Sequence, residues 1–562
     1  MIESKIVSSL EKCFPDQKVS DFSPLKSISA LQNERISIQL ITYAENEPSK
    51  RGRAKWATPS VKGVFTKMTT FRNVVCVPSP FPVYDGKPNE NYLRTTPGFF
   101  PDILMPLENG GETPIVNYEL RSLWVTVELD GSIKFGEHPL TITLTEKDGT
   151  VLAEETVNIK IVSAKLPKQE IIITRWFHGD CLANYYDCEV FSKKWWTAAR
   201  NFIKTYVYGG GNMMLTPIFT PALDTAVGGE RRTVQLVDVS LENGKYTFGY
   251  KNLDRWLNMC KRLGIKYYEI AHFFTQWGAA HAPKIMATVD GEYKRIFGWD
   301  TDASGPEYSE FLHAFIPDFL AHMKARGEDS LCYFHISDEP DAAQLEQYAR
   351  SRSVVSELLK GYTIMDALSN KDFYKKGVVD QPIPGTNHIE PFIEANVKPL
   401  WTYYCNGQTQ DVSNQFMAMP SYRTRAIGYQ LFKYDVDGFL HWGYNFYNTC
   451  LSVSAINPFL DTCGSYFAPS GDAFVVYPAP NCEVYESLRH VVFYEAIQDI
   501  SAFKLCAEKL GKERVVAELE AVLGEIKFDK CATSADEILT ARERIYELLD
   551  KEFPYMSKKK EK

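Results

Sequence analysis

Apolar and polar positions alternate along the first part of the chain. "RISIQLIT", "LWVTVELD", "PLTITLTE" and "ETVNIKIVSA" carry apolar or β-branched residues at about every second place. That is the period of a strand with one face against a core. "DGSIKFGEH" and "EKDGT" punctuate these runs as turns, and no convincing helix interrupts them. Residues 1–165 are therefore expected to form a two-sheet β-sandwich. The short charged connector "AKLPKQE" (164–170) marks a domain boundary.

Beyond it the period changes. Solid apolar runs now alternate with stretches of helical spacing. The strand-like runs are "EIIITRWF" (170–177), "NMMLTPIF" (212–219), "KYYEIAHFF" (266–274), "CYFHIS" (332–337), "YTIMDAL" (362–368), "KPLWTYYC" (398–405), "DGFLHWGYN" (437–445) and "AFVVYP" (473–478). Helices are expected at "SKKWWTAARNFIKTY", at "KNLDRWLNMCKRLG" with its closing glycine, at "SEFLHAFIPDFLAHMKARG" and at "AAQLEQYARSRSVVSELLKG". Buried strands alternating with amphipathic helices imply a parallel sheet, and eight such units imply a closed (β/α)8 barrel of the TIM type over residues 166–500. The second and third units carry long insertions, as loops built for binding do. Residues 501–562 read as a C-terminal helical extension, with Ser534 of "TSADEI" as a helix cap. The expected fold class is thus multidomain, β plus α/β.

Composition narrows the partners. At 562 residues the chain is too long for one ordinary core. Aromatic content is high at 13%; aromatics build cores, and they also line sugar sites. A net charge of −9 offers no basic face to a nucleic acid. "SKRGR" (49–53) reads as a solvated loop and the terminal "SKKKEK" as a frayed tail. No stretch approaches the ~18 apolar residues of a membrane helix. The N-terminal "MIESKIVSSLEKCF" lacks a basic start followed by an apolar run. Twelve cysteines without metal spacing read as small buried hydrophobes, so a reducing cytoplasm is the expected location.

Candidate chemistry concentrates in "CYFHISDEPDAAQLEQYAR" (332–350), where an apolar run stops at Asp338 and Glu339. Barrels of this kind place catalytic groups at the C-terminal ends of their strands. Cleaving a glycosidic bond needs one carboxyl that holds a proton and one that stays ionised. Neighbours on a strand point to opposite faces, but where the backbone turns both can reach one cavity. Their proximity drives their pKa values apart. The alternative is mundane: a helix follows from about Ala342, and an Asp before a helix often caps it. Histidines near strand ends, among them His178, His272, His388 and His441, show no HxH or HxxxH spacing, so neither metal nor cofactor is expected.

"FHISDEP", together with "TTPGFFPDILMP" (95–106), "DGFLHWGYNFY" (437–447) and the order of sandwich then barrel, resembles glycoside hydrolase family 123 over roughly residues 60–500. The resemblance implies retaining cleavage of a glycan with a terminal β-linked N-acetylgalactosamine, in which the 2-acetamido oxygen of the sugar attacks its own anomeric carbon. Asp338 would orient and stabilise the acetamido nitrogen, and Glu339 would act as general acid and then base. Tyr403 or Tyr404 would hold the acetamido carbonyl. Trp277 and Trp442 would wall the sugar, and His178, His272, Asn445 and Asp472 are candidates for its hydroxyls. Two other readings stay open: a β-N-acetylhexosaminidase of different specificity, and a carbohydrate-binding barrel whose acids only cap a helix.

Overall fold

The computed structural model of the protein describes residues 1–48, 52–86, 91–108 and 110–553; the terminal "SKKKEK" and most of "SKRGR" lie outside the described residues. The chain forms two compact units. One comprises Met1–Glu170, Gln410–Lys433 and Tyr485–Lys562, the other Ile171–Thr409 and Tyr434–Val484, so the first boundary falls at the end of "AKLPKQE".

The first unit is built on two sheets. One contains Ile2–Ser8, Arg35–Ala44, Arg121–Glu128, Thr69–Ser79 and Gly98–Pro106; the other contains Ser27–Gln32, Val151–Lys165, Gly136–Thr145, Ala54–Lys62 and Thr113–Val116. Ile38, Leu40 and Val125 of the first share a core with Leu140, Ile142 and Ile159 of the second. Arg35–Ala44 is buried at every position rather than every other one, because Ile41 and Tyr43 on its other face pack with Val7, Val19 and Phe22, while a second large core covers other strands of its sheet. That core joins Val74, Leu104 and Trp124 to Val492, Phe503, Leu519, Ile545 and Leu549 from the C-terminal helices. Charged groups inside this unit are paired: Arg489 grips Asp102 twice at 2.8 Å, and Arg425 reaches Asp499 at 2.7 Å and Glu495 at 2.9 Å.

This arrangement corrects the expected domain plan. The helix Leu488–Leu510 runs straight through residue 500, and the following helices Lys512–Leu523 and Ala535–Glu552 belong to the first unit's core instead of forming an appendage. The physical cause is that Leu488–Leu510 is buried on nearly every side over its first four turns, so its apolar side chains need packing partners and its buried Arg489, Glu495 and Asp499 need ion-pair partners. Ser534 does cap the last helix, accepting from Glu537 N at 3.2 Å.

The second unit carries eight short parallel strands: Ile172–Arg175, Met213–Thr216, Tyr267–Ile270, Cys332–Phe334, Thr363–Ala367, Gln381–Ile383, Trp401–Tyr403 and Gly438–His441. The second to sixth pair in sequence, the seventh pairs the eighth, and the eighth pairs the first. Asn212 ties the start of the second strand to the first through Ile173, at 2.8 and 3.1 Å. A parallel bridge, Gly385 to Tyr403, joins the end of the sixth to the seventh. The strands are buried on both faces, as parallel strands flanked by helices must be. Gly438 is required here, since a Cβ at that position would lie 2.1 Å from the Trp401 ring.

One expected strand is displaced. "AFVVYP" forms Val476–Pro478, which is in neither parallel sheet; its start at Phe474 instead makes an antiparallel bridge to Asn445. Its place in the series is taken by Gln381–Ile383, three residues with a central proline. The insertion around helix Lys251–Leu263 supplies a small sheet of Asp238–Glu242, Lys245–Gly249, Ile285–Val289 and Glu292–Phe297. Among the described residues no helix is long and apolar enough to cross a membrane.

Candidate active site

After strand Cys332–Phe334 the backbone is locked residue by residue. Ile336 N donates to Asp366 Oδ1 at 3.0 Å, and Ser337 Oγ to Thr275 O at 2.8 Å. Asp338 O accepts from Trp277 N at 2.9 Å, and Glu339 N donates to Ala367 O at 3.0 Å. Glu339 sits at φ +41°, in the left-handed region that a non-glycine residue enters at a cost of ~1 kcal/mol or more. That turn breaks the alternation of the strand, and both acids line the same hollow. Capping is done by a third acid. Asp341 Oδ1 accepts from Ala343 N at 2.8 Å and Gln344 N at 3.1 Å, while Gln344 Oε1 accepts from Asp341 N at 2.9 Å, a reciprocal capping box. Asp338 and Glu339 take no part in it.

The hollow has a volume of about 400 Å³, the size of a small-ligand site. Tyr403 O–H donates to Glu339 Oε1 at 2.5 Å. Trp176, Trp277 and Trp442 supply aromatic walls, suited to the apolar faces of a pyranose. Two of these rings are fixed from behind by acids: Trp442 Nε1 donates to Asp472 Oδ2 and Trp176 Nε1 to Glu269 Oε1, both at 2.8 Å. Trp277, at φ +57°, stands 42% exposed at the rim.

Beneath the acids lies a buried charged cluster. His335 Nδ1 is 3.0 Å from Asp366 Oδ1 and its Nε2 is 2.7 Å from Glu269 Oε1. Burial works against a charged ring there, but both hydrogen bonds and both carboxylate charges outweigh it and lift His335 to about 9. Asp338 keeps part of its surface in the hollow. Burial, then the charges of Glu339 and Asp224, push its pKa well above the usual carboxylate range, against the pull of His335.

The structure brings Asp338, Glu339, Trp277, Tyr403 and Trp442 together at the hollow and leaves five other candidates behind it. Tyr404 is buried against the rings of Phe439 and His441. Asn445 spends its side chain on the backbone of His178, at 2.9 and 3.0 Å. His178 is enclosed between Arg231 Nη2 at 3.1 Å and Trp442 O at 3.0 Å, and burial with the Arg231 charge pushes it down to about 3. Asp472 holds Trp442 instead of facing the hollow. His272 stacks on His335 at 4.2 Å, and burial with the His335 charge keeps it neutral. Strand-end position selected these residues, but the side chain of a strand-end residue can equally point into the packing behind the site.

His272, His335 and Asp366 bring potential ligand atoms within 4.8 Å of one another. They do not suit a metal: both nitrogens of His335 are committed to carboxylates, and the stacked rings present their in-plane lone pairs side by side instead of converging. Sequence reasoning missed Asp224, which lines the hollow from a loop without any period, and His335, which stood inside the quoted motif. Burial pushes Asp224 up to about 7; Arg231 opposes this, and Glu339 and Asp472 add to it.

Residues 176–506 match the family model described as glycoside hydrolase 123, catalytic domain. The fold is similar to that of a family 123 glycoside hydrolase from Clostridium perfringens, solved for the details of glycolipid glycan hydrolysis, with TM-score 0.74 and 16% identity over 98% of each chain. A β-glucuronidase from Parabacteroides merdae matches at TM-score 0.29 and 11% identity, over 89% of this chain and 52% of that one. A family 5 mannosidase from Rhizomucor miehei matches at TM-score 0.31 and 13% identity, over 62% and 96%. No curated sequence matches. On a family model that spans more than half of its length, the chain belongs to glycoside hydrolase family 123.

Proposed function

We propose that the protein is a retaining exo-β-N-acetylgalactosaminidase working by substrate assistance, on a second unit read as a (β/α)8 barrel. The observation that carries this reading is the pair Asp338 and Glu339 in one hollow, with helix capping delegated to Asp341. The acetamido oxygen forms a bond to the anomeric carbon as the bond to the leaving oxygen breaks. Glu339 gives its proton to that oxygen. Asp338 accepts from the acetamido N–H and balances the positive charge of the oxazolinium ion. Water then attacks the anomeric carbon as its bond to the acetamido oxygen breaks, Glu339 takes the water proton, the acetamide is restored and the configuration is retained.

The upward push on the Asp338 pKa is compatible with this scheme. An acetamido N–H donated to Asp338 favours its anion, so substrate binding works against that push. Tyr403 is the tyrosine of the site, orienting Glu339 and standing next to the acetamido group. A glycolipid glycan, the substrate named for the Clostridium perfringens relative, is one carrier of a terminal β-linked N-acetylgalactosamine.

The test is hydrolysis of p-nitrophenyl N-acetyl-β-galactosaminide followed by proton NMR. The β-anomer of N-acetylgalactosamine is expected as first product, with an N-acetyl-thiazoline sugar as a competitive inhibitor. First appearance of the α-anomer, or full activity in both Asp338→Asn and Glu339→Gln, would refute the reading.

A further inference from the structure

Asp224 lies in the loop after the second parallel strand and is held by its main chain on every side. Its carbonyl accepts from Ser452 Oγ at 2.7 Å. The next residue, Thr225, is clasped by Gln276, whose Oε1 accepts from Thr225 N at 3.4 Å and whose Nε2 donates to Thr225 O at 2.9 Å. Ala226 N donates to Leu451 O at 3.0 Å. On the other side Arg231 Nη1 donates to Leu223 O at 3.0 Å, while its guanidinium is anchored on Asp180 at 2.6 and 2.8 Å. Asp224 itself is at φ +45°. All this fixes a backbone whose carboxylate faces the hollow and takes no hydrogen bond among the described residues. A rigid acceptor with no protein donor is a group prepared for the donors of a ligand.

The other acids near the hollow are already assigned. Under the function proposed above, on which this inference rests, Asp338 serves the substituent on C2 and Glu339 the oxygen on C1. Asp472 is occupied by Trp442 and His441. The donors left on an N-acetylhexosamine are the hydroxyls on C3, C4 and C6. A carboxylate presents two acceptor oxygens in one plane, which suits the adjacent pair on C3 and C4 better than the single hydroxyl on C6. We propose that Asp224 is the specificity residue that binds the C3 and C4 hydroxyls of the terminal sugar. A sulfate ester at either position would meet the Asp224 carboxylate with that of Asp338 in the same hollow, so an unsulfated terminal sugar is the expected substrate.

The test compares wild type with Asp224→Ala and Asp224→Asn on p-nitrophenyl N-acetyl-β-galactosaminide and on its 3-deoxy, 4-deoxy, 6-deoxy and 4-O-sulfo analogues. For Asp224→Ala we expect KM to rise about 10–100-fold, with kcat within about 3-fold. Wild type should lose about tenfold in kcat/KM on the 3-deoxy and 4-deoxy compounds and little on the 6-deoxy one, and Asp224→Ala should treat all three alike. Relative activity on the sulfate should rise in both variants. An unchanged KM, equal deoxy penalties in both enzymes, or a penalty confined to the 6-deoxy compound would overturn the proposal. Absence of hydrolysis by wild type would refute the parent reading alone. Calorimetric titration with free N-acetylgalactosamine then decides the role of Asp224: binding lost in Asp224→Ala at unchanged melting temperature supports it, and equal binding by both proteins overturns it.

Discussion

Tyr403 donates its phenolic proton to Oε1 of Glu339 across 2.5 Å. Burial and the Glu339 charge hold the phenol far above its ordinary pKa, so it remains a donor throughout the working pH range. Tyr403→Phe removes this contact and leaves the ring in place. Loss of one positioning hydrogen bond is expected to cost about 10–100-fold in kcat with KM within about 3-fold. Steady-state kinetics on the p-nitrophenyl substrate check this, and an unchanged kcat would remove Tyr403 from the machinery.

Glu339→Gln separates proton donation from binding. On a substrate with a poor alkyl leaving group the loss should approach ~10³-fold, within the usual range for a general acid. On a 2,4-dinitrophenyl glycoside, which leaves without a proton, about tenfold or less is expected. Equal losses on the two substrates would deny Glu339 the acid role.

Asp338 is destabilising to the fold whenever it is ionised. Its folded pKa lies above the ordinary carboxylate value, so the folded state prefers the protonated form. The associated stability is complete below a pH of about 4 and is lost as pH rises through the folded value. Asp338→Asn stays neutral, so its melting temperature should exceed that of wild type by ~2 °C or more at pH 8 and match it near pH 4, while activity is lost. Thermal melts across that range decide, and a variant less stable at pH 8 would contradict the electrostatics.

His335 acts in the same direction with pH. Its folded value of about 9 exceeds the ordinary imidazole value, so its contribution is full below pH ~6.5 and is lost as pH rises through about 9. His335→Gln leaves Glu269 and Asp366 buried without their shared cation. Removing one partner of such a cluster costs on the order of 3–5 kcal/mol. Denaturant midpoints should show a large fall at pH 6 and a smaller one at pH 9.5; equal falls would mean that the ring is not charged.

Ser534→Ala probes the first unit away from the site. It removes the cap on Glu537 N and should cost about 1 kcal/mol, with catalysis unchanged. A melting curve and one activity assay are sufficient.

Legibility in the sequence followed the physics of each segment. Long amphipathic helices such as Lys193–Tyr208 and Lys251–Leu263 declared themselves through period and termini, down to Gly264 at φ +109°. Gln381–Ile383 did not, since three residues with a proline carry no period. "AFVVYP" misled because an apolar run records burial without recording the partner. Asp338 and Glu339 were legible because an acid pair ending a buried strand is costly without a purpose. Asp224 was not, because its position is set by contacts with Gln276, Ser452 and Leu451, all distant in the chain.

The route of the chain limits how this enzyme can be divided. Gln410–Lys433 belongs to the first unit, yet lies between two stretches of the second. A gene fragment spanning residues 171–484 would therefore translate helix Ser421–Lys433 without Phe503, Ile538 and Leu549, the neighbours that Tyr429 and Phe432 pack among. Its oily stripe would meet solvent and other copies, so such truncations are destined for inclusion bodies, and engineering has to proceed on the intact polypeptide.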